Sequence, residues 1–133
     1  MHILIVDDEQ AIASIIAETL DQEGHTTVTA SNGFQALQYL EEQHPDIIFL
    51  DLMMYPISGQ EVLSRLTQQG SRSRYRIIVM SAGLNLLQEA ARINADDFLE
   101  KPFDLDAIDL LLQKNEAVAL TRPANGEMIA RGI

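Results

Sequence analysis

Asp51 closes a short apolar run, Asp46-Ile47-Ile48-Phe49-Leu50-Asp51, and a carboxylate in that position is placed to do chemistry. Four apolar residues behind the turn signal His44-Pro45 read as a strand buried on both faces. In an open α/β sheet, ligands sit in the crevice beyond the carboxyl ends of the strands. Other polar groups occupy comparable positions. Asp7-Asp8 follow the apolar His2–Val6, Ser81 ends Arg76–Ser81, and Lys101 follows Asp96–Glu100. Three carboxylates sharing one crevice repel each other and push a pKa upward unless a cation joins them. Mg²⁺ is the fitting cation, because it takes oxygen ligands, keeps several waters and is held by one or two carboxylates plus a phosphate. The Ser81 hydroxyl and Lys101 ammonium would complete a cradle in which phosphoryl charge is met from three sides. There a carboxylate can act as a nucleophile and become an aspartyl phosphate.

For these residues to meet, the intervening segments must set four strand ends side by side. Glu9 to Glu23 reads as a helix with Ile12, Ile15, Ile16, Thr19 and Leu20 at three- and four-residue steps and Gly24 as its stop. Thr26 to Ala30 is a short strand, and Ser31 or Asn32 can cap a helix from Gly33 to Gln43 with Ala36, Leu37 and Leu40 on one face. A third helix is expected from Gly59 to Gln69, with Val62, Leu63 and Leu66 inward, then a polar loop over Gly70–Arg74. Leu84–Ile93 and Asp104 to about Leu120 supply two more helices. Strands alternating with helices predict an α/β fold, a doubly wound (βα)5 with a five-stranded parallel sheet. The strands at His2, Asp46 and Arg76 are apolar throughout, whereas those at Thr26 and Asp96 carry polar residues suited to edges. Those edges match the order 2-1-3-4-5, which places Asp7, Asp8 and Asp51 together at the switch point.

Composition narrows the functions available. A chain of 133 residues with 47% apolar residues can pack one ordinary core. Twenty acids against nine bases, a net charge of −11, disfavour direct nucleic-acid binding and an acidic membrane surface. With no cysteine, neither a disulfide framework nor a thiolate metal site is available. No signal peptide or membrane-length apolar run is visible, so a cytoplasmic protein is expected.

The chain resembles the receiver domains of two-component response regulators over residues 2 to about 118. The matching residues are Ile5-Val6-Asp7-Asp8-Glu9, Asp51-Leu52-Met53-Met54 with Gly59 beyond them, Ser81-Ala82, and Asp97-Phe98-Leu99-Glu100-Lys101-Pro102-Phe103. The resemblance implies that Asp51 accepts a phosphoryl group from the phosphohistidine of a histidine kinase or histidine phosphotransfer protein. It also implies that Asp8 ligates Mg²⁺ directly, Asp7 mainly through water, and the Met53 backbone carbonyl alongside Asp51. Ser81 would hydrogen-bond the phosphoryl oxygen, Lys101 would pair with it, and Phe98 would change rotamer in response. The Lys101–Pro102 bond is expected to be cis. Such a protein is a phosphoacceptor switch, not a turnover enzyme. Its output passes to an effector protein on the face of helix four, strand five and helix five, or to a phosphorylation-linked homodimer. The sequence departs from the family pattern in four places, one of them Ser81, which keeps the hydroxyl of the commoner threonine. Tyr55 stands where proline is usual, with the proline displaced to Pro56, and Asn94 replaces a glycine. The Ser81–Lys101 interval is also shorter than in many members, which predicts a short or shifted helix four.

Blander readings accompany several of these residues. His2, His25 and His44 have no ligand spacing and favour structural roles, and Arg72, Arg74 and Arg76 read as a solvated face. On helix five, Leu105, Ile108, Leu111 and Leu112 form a core stripe that excludes Leu110; on helix four, Leu86 and Ile93 are displaced from Leu84 and Leu87. These leftover apolar residues suggest a partner or dimer face. Three other functions compete with the switch. A flavin or nucleotide binder would need a glycine-rich phosphate loop where Asp7-Asp8-Glu9 stands. A Mg²⁺-dependent phosphatase uses the same chemistry, and a receiver-fold docking module would phosphorylate weakly or not at all. Residues 1–118 are expected to form the receiver and 119–133 a loose tail or truncated linker. No output domain is visible, so the chain reads as either a stand-alone receiver or a fragment.

Overall fold

The structure, a computed structural model, describes residues 1–83 and 86–119. The elements in chain order are β1 (His2–Val6), α1 (Gln10–Gln22), β2 (Thr26–Ala30), α2 (Gly33–Glu42), β3 (Ile47–Asp51) and α3 (Gly59–Gln68). A 3₁₀ turn at Arg72–Arg74 follows, then β4 (Arg76–Ser81), α4 (Leu86–Arg92), β5 (Asp97–Glu100) and α5 (Leu105–Ala119). The strands form one parallel sheet in the order β2-β1-β3-β4-β5, the doubly wound arrangement that the sequence predicts.

Alternation along the three central strands splits the core in two. Leu4, Val6, Ile48, Leu50, Ile77 and Val79 face one way and pack with Ala36 and Leu40 of α2, Val62, Leu63 and Leu66 of α3, and Ala90 of α4. Ile3, Ile5, Ile47, Phe49, Ile78 and Met80 face the other way, against Ala13, Ile16 and Leu20 of α1 and Ile108 and Leu112 of α5. Both faces are covered, which explains why these strands are apolar at every position apart from polar residues at their ends. Asn32 caps α2 by accepting from the Gln35 N–H, and the Gln35 side chain reaches back to the Ser31 N–H. Gly24 (φ 91°) follows α1, and Asn94 (φ 61°) makes the left-handed exit after α4.

Several sequence expectations need correction. Ile15 of α1 is half exposed, and Leu105 of α5 is too, because it is the first residue of its helix, one turn ahead of Ile108. Ile93 packs against the first core cluster and is not displaced from it. The side chains of Leu84, Leu86 and Leu87 lie outside the described residues, as does the tail from 120 onward. Two of the three loop arginines form part of a clasp instead of a solvated face. Arg72 donates to the carbonyls of Tyr75 and Asn94 and to Asp96. Arg76 donates through Nε to Oδ1 of the fully buried Asn115, at 2.6 Å. Asn115 in turn donates to Asp97, which also pairs with Lys114. Burial alone would raise the Asp97 pKa, but the Asn115 amide, the Phe98 N–H and Lys114 together hold it below the ordinary value. This clasp joins the start of β4 and β5 to α5, at the pole opposite the strand ends. The histidines serve there too: His2 meets the Tyr39 hydroxyl at 2.6 Å, and His44 meets that of Tyr75 at 3.2 Å.

Candidate functional site

Strand register brings the polar groups level. Val6 pairs with Leu50, so Asp7 and Asp51 each come next on adjacent strands; Ser81 pairs with Glu100, and the Lys101 N–H donates to the Ser81 carbonyl. Carboxylate oxygens of Asp7, Asp8 and Asp51 all lie within 4.8 Å of one another. Asp7 and Asp51 are buried and Asp8 is exposed. Asp7 is tied down on both oxygens, one accepting from the Glu9 N–H at 2.9 Å and the other from Lys101 Nζ at 2.8 Å. The same ammonium lies 3.4 Å from Asp51 Oδ2 and 3.6 Å from Glu9 Oε1. Asp51 Oδ1 accepts from the Met53 N–H at 3.2 Å.

The electrostatics follow from this crowding. Burial, and after it the Asp7 charge, pushes the Asp51 carboxyl up to about 6, against the opposing pull of the Met53 N–H and Lys101. Burial would lower the Lys101 pKa, but the hydrogen bond to Asp7 and the charges of Asp51 and Asp7 outweigh it and raise it. One ammonium therefore faces Asp7, Asp51 and Glu9, with Asp8 close by. An oxygen-only donor set with excess negative charge suits a hard divalent cation such as Mg²⁺. Beside it, Glu9, Asp51, Met53, Ala82, Gly83 and Lys101 line an open cavity of about 290 Å³. Ser81 Oγ accepts from the Gly83 N–H at 3.1 Å, a bond that leaves the hydroxyl hydrogen uncommitted. Both Lys101–Pro102 and Tyr55–Pro56 are cis.

Comparison with known proteins assigns this arrangement. The sequence profile of the response regulator receiver domain matches residues 3–113. The chain belongs to the response regulator receiver family. Among curated relatives, sporulation initiation phosphotransferase F of Bacillus subtilis is 35% identical over 80% of this chain and 86% of its own length. The alkaline phosphatase synthesis transcriptional regulatory protein PhoP of the same organism is 32% identical over 88% of this chain, which spans only half of that protein. Among solved structures, response regulator TrrA of Thermotoga maritima, in complex with Mg²⁺ and BeF, is 31% identical with a TM-score of 0.75, over 86% of this chain and 97% of that one.

The receiver site gathers Asp7, Asp8, Asp51, Ser81 and Lys101 at one end of the sheet. Met53 stands at its rim with its side chain 74% exposed, and Tyr55 beyond it is 82% exposed. Phe98 sits apart from the carboxylates, beside Val79 in the sheet and partly buried against the first core cluster. Sequence reasoning gave no role to Glu9 or Gly83, which both line the cavity. For Glu9 the available signal was a third consecutive acid at the end of β1.

Proposed function

We propose that this receiver is a phosphorylation switch with Asp51 as the acceptor and the phosphohistidine of a histidine kinase or histidine phosphotransfer protein as the donor. The observation that carries the reading is a buried carboxylate whose oxygens are approached by two further carboxylates, an ammonium and an open cavity. An Asp51 oxygen would form the new P–O bond as the P–N bond breaks, with the electron pair leaving on the imidazole, which then takes up a proton. Asp8, Asp51 and the Met53 carbonyl would hold Mg²⁺, with Asp7 acting mainly through water; the cation supplies positive charge to the carboxylates and phosphoryl oxygens. Ser81 would donate its hydroxyl hydrogen to a phosphoryl oxygen, and Lys101 would move its ammonium from Asp51 onto that group. Reorientation of Ser81 and Phe98 would then carry the change to the α4–β5–α5 face, where an effector protein or a second copy docks.

The test is to add Mg²⁺ and beryllofluoride and follow amide chemical shifts. The wild type should shift at Ser81, Phe98 and β5, whereas Asp51→Asn should not. Identical responses from the two proteins would overturn the reading. The exposed Met53 and Tyr55 favour one alternative, a docking module on the receiver fold, which would bind its partner equally with and without beryllofluoride.

A further inference from the structure

We propose that Glu9 is a charge filter at the mouth of the site, slowing phosphorylation by small free phosphate anions while strengthening cation binding. The inference rests on the phosphoacceptor reading above. Glu9 is the N-cap residue of α1, a position where a side chain usually accepts a backbone N–H. Its carbonyl performs the backbone part of that role by accepting from the Ile12 and Ala13 N–H groups, yet its carboxylate makes no capping bond. The side chain instead lies against Lys101 Nζ at 3.6 Å, is 63% exposed, and forms part of the cavity wall.

Among the described residues, the remaining wall offers no other charge outside the transfer chemistry. Met53, Ala82 and Gly83 bring none, and Asp51 and Lys101 belong to the transfer chemistry itself. A phosphodonor entering this cavity therefore passes a carboxylate that takes no part in the proposed chemistry. A phosphoryl group presented by a protein brings binding energy from surfaces outside the cavity, which can offset the repulsion; a free small anion has only its own contacts. The same carboxylate adds to the negative potential around Asp7, Asp8 and Asp51, so it favours a divalent cation there.

The experiment is a charge series, wild type, Glu9→Gln and Glu9→Lys, phosphorylated at pH 7 and saturating Mg²⁺ by dianionic acetyl phosphate or singly charged phosphoramidate. With acetyl phosphate, Glu9→Gln should react about fivefold faster at ~0.01 M ionic strength, and the gain should fade toward equality at ~1 M, where the Debye length is about 3 Å. Glu9→Lys should extend the gain by a similar factor, and phosphoramidate should show roughly half the effect on a logarithmic scale. Calorimetric titration, a readout independent of phosphorylation, should show Mg²⁺ binding weakening from wild type to Gln to Lys. Because the side chain is exposed and makes no cap bond, thermal melts should show all three proteins folded.

Rates that do not change across the series, gains that survive high salt, or equal gains with both donors would each overturn the filter and leave the phosphoacceptor reading intact. Failure of the wild type to be labelled by either donor would instead overturn both.

Discussion

At the scale of single residues, the site is built on a conflict. Asp51 is buried beside Asp7 and its carboxyl is pushed up to about 6, while the ordinary value is 3.8. Between those values the folded chain keeps a proton that the unfolded chain has lost. Without a divalent cation, this residue's contribution therefore falls as pH rises from about 4 to about 6 and stays lost above that. The corresponding cost is at most about 3 kcal/mol, with about 1.4 kcal/mol per pKa unit. Asparagine has the same shape and no charge, and Lys101 would keep Asp7 and Glu9 as partners. Asp51→Asn is therefore expected to be more stable than wild type at pH 7.5, by about 1–3 kcal/mol, with the gap closing near pH 4. Urea denaturation in the presence of a chelator at both pH values would measure it. A variant no more stable than wild type at pH 7.5 would show that the local balance is already neutral. A buried carboxylate crowded in this way costs stability, a common trade at functional sites.

At the scale of elements, the loop from β3 to α3 fixes Asp51 by backbone contact. Ser58 caps α3 by accepting from the Glu61 N–H, and the Gly59 N–H donates to the Leu52 carbonyl. A Cβ on Gly59 would come within 2.3 Å of the Asp51 carbonyl oxygen and 2.9 Å of the Leu52 Cα, neither of which can move without moving Asp51. Gly59→Ala is accordingly expected to destabilise the fold by about 2 kcal/mol or more, and to weaken beryllofluoride binding in the fraction that stays folded. Denaturation paired with a beryllofluoride titration checks both, and wild-type behaviour in both would contradict the close approach. The strands at His2–Val6, Thr26–Ala30 and Arg76–Ser81 were legible to the residue, because apolar runs in the first and last, β-branched residues in the second, and polar or turn residues around them set their bounds. Helix ends shifted by a residue or two, since caps rather than apolar periodicity set them. The convergence of Asp7, Asp8, Asp51, Ser81 and Lys101 was legible from strand ends plus strand order. The Arg72–Asp96 and Arg76–Asn115 contacts were not, because the partners lie far apart in sequence and a loop arginine carries no sign of what it will meet. Glu9 was missed for a related reason: an acid at a helix start already has an ordinary explanation.

At the scale of the whole molecule, charge is distributed between two poles. At one, Arg72, Arg76 and Lys114 face Asp96 and Asp97, and the clasp is largely neutralised. At the other, Lys101 is the one cation that faces Asp7, Asp51 and Glu9 among the described residues, with Asp8 beside them, in a chain of net charge −11. Any salt should therefore stabilise the protein modestly by screening, whereas a cation held by the carboxylates should add a separate and saturable increment. At Mg²⁺ concentrations about 100-fold above its dissociation constant, that increment is expected to reach about 2.7 kcal/mol. NaCl at matched ionic strength should reproduce only the screening part. Asp8 is exposed, so Asp8→Asn should leave the fold intact and remove most of the Mg²⁺-specific part while keeping the response to NaCl. Thermal melts of both proteins across the two salts separate these contributions. An equal Mg²⁺ increment in Asp8→Asn would place the cation elsewhere on the acidic surface, and no increment beyond NaCl in the wild type would mean that the site is balanced without a bound divalent cation.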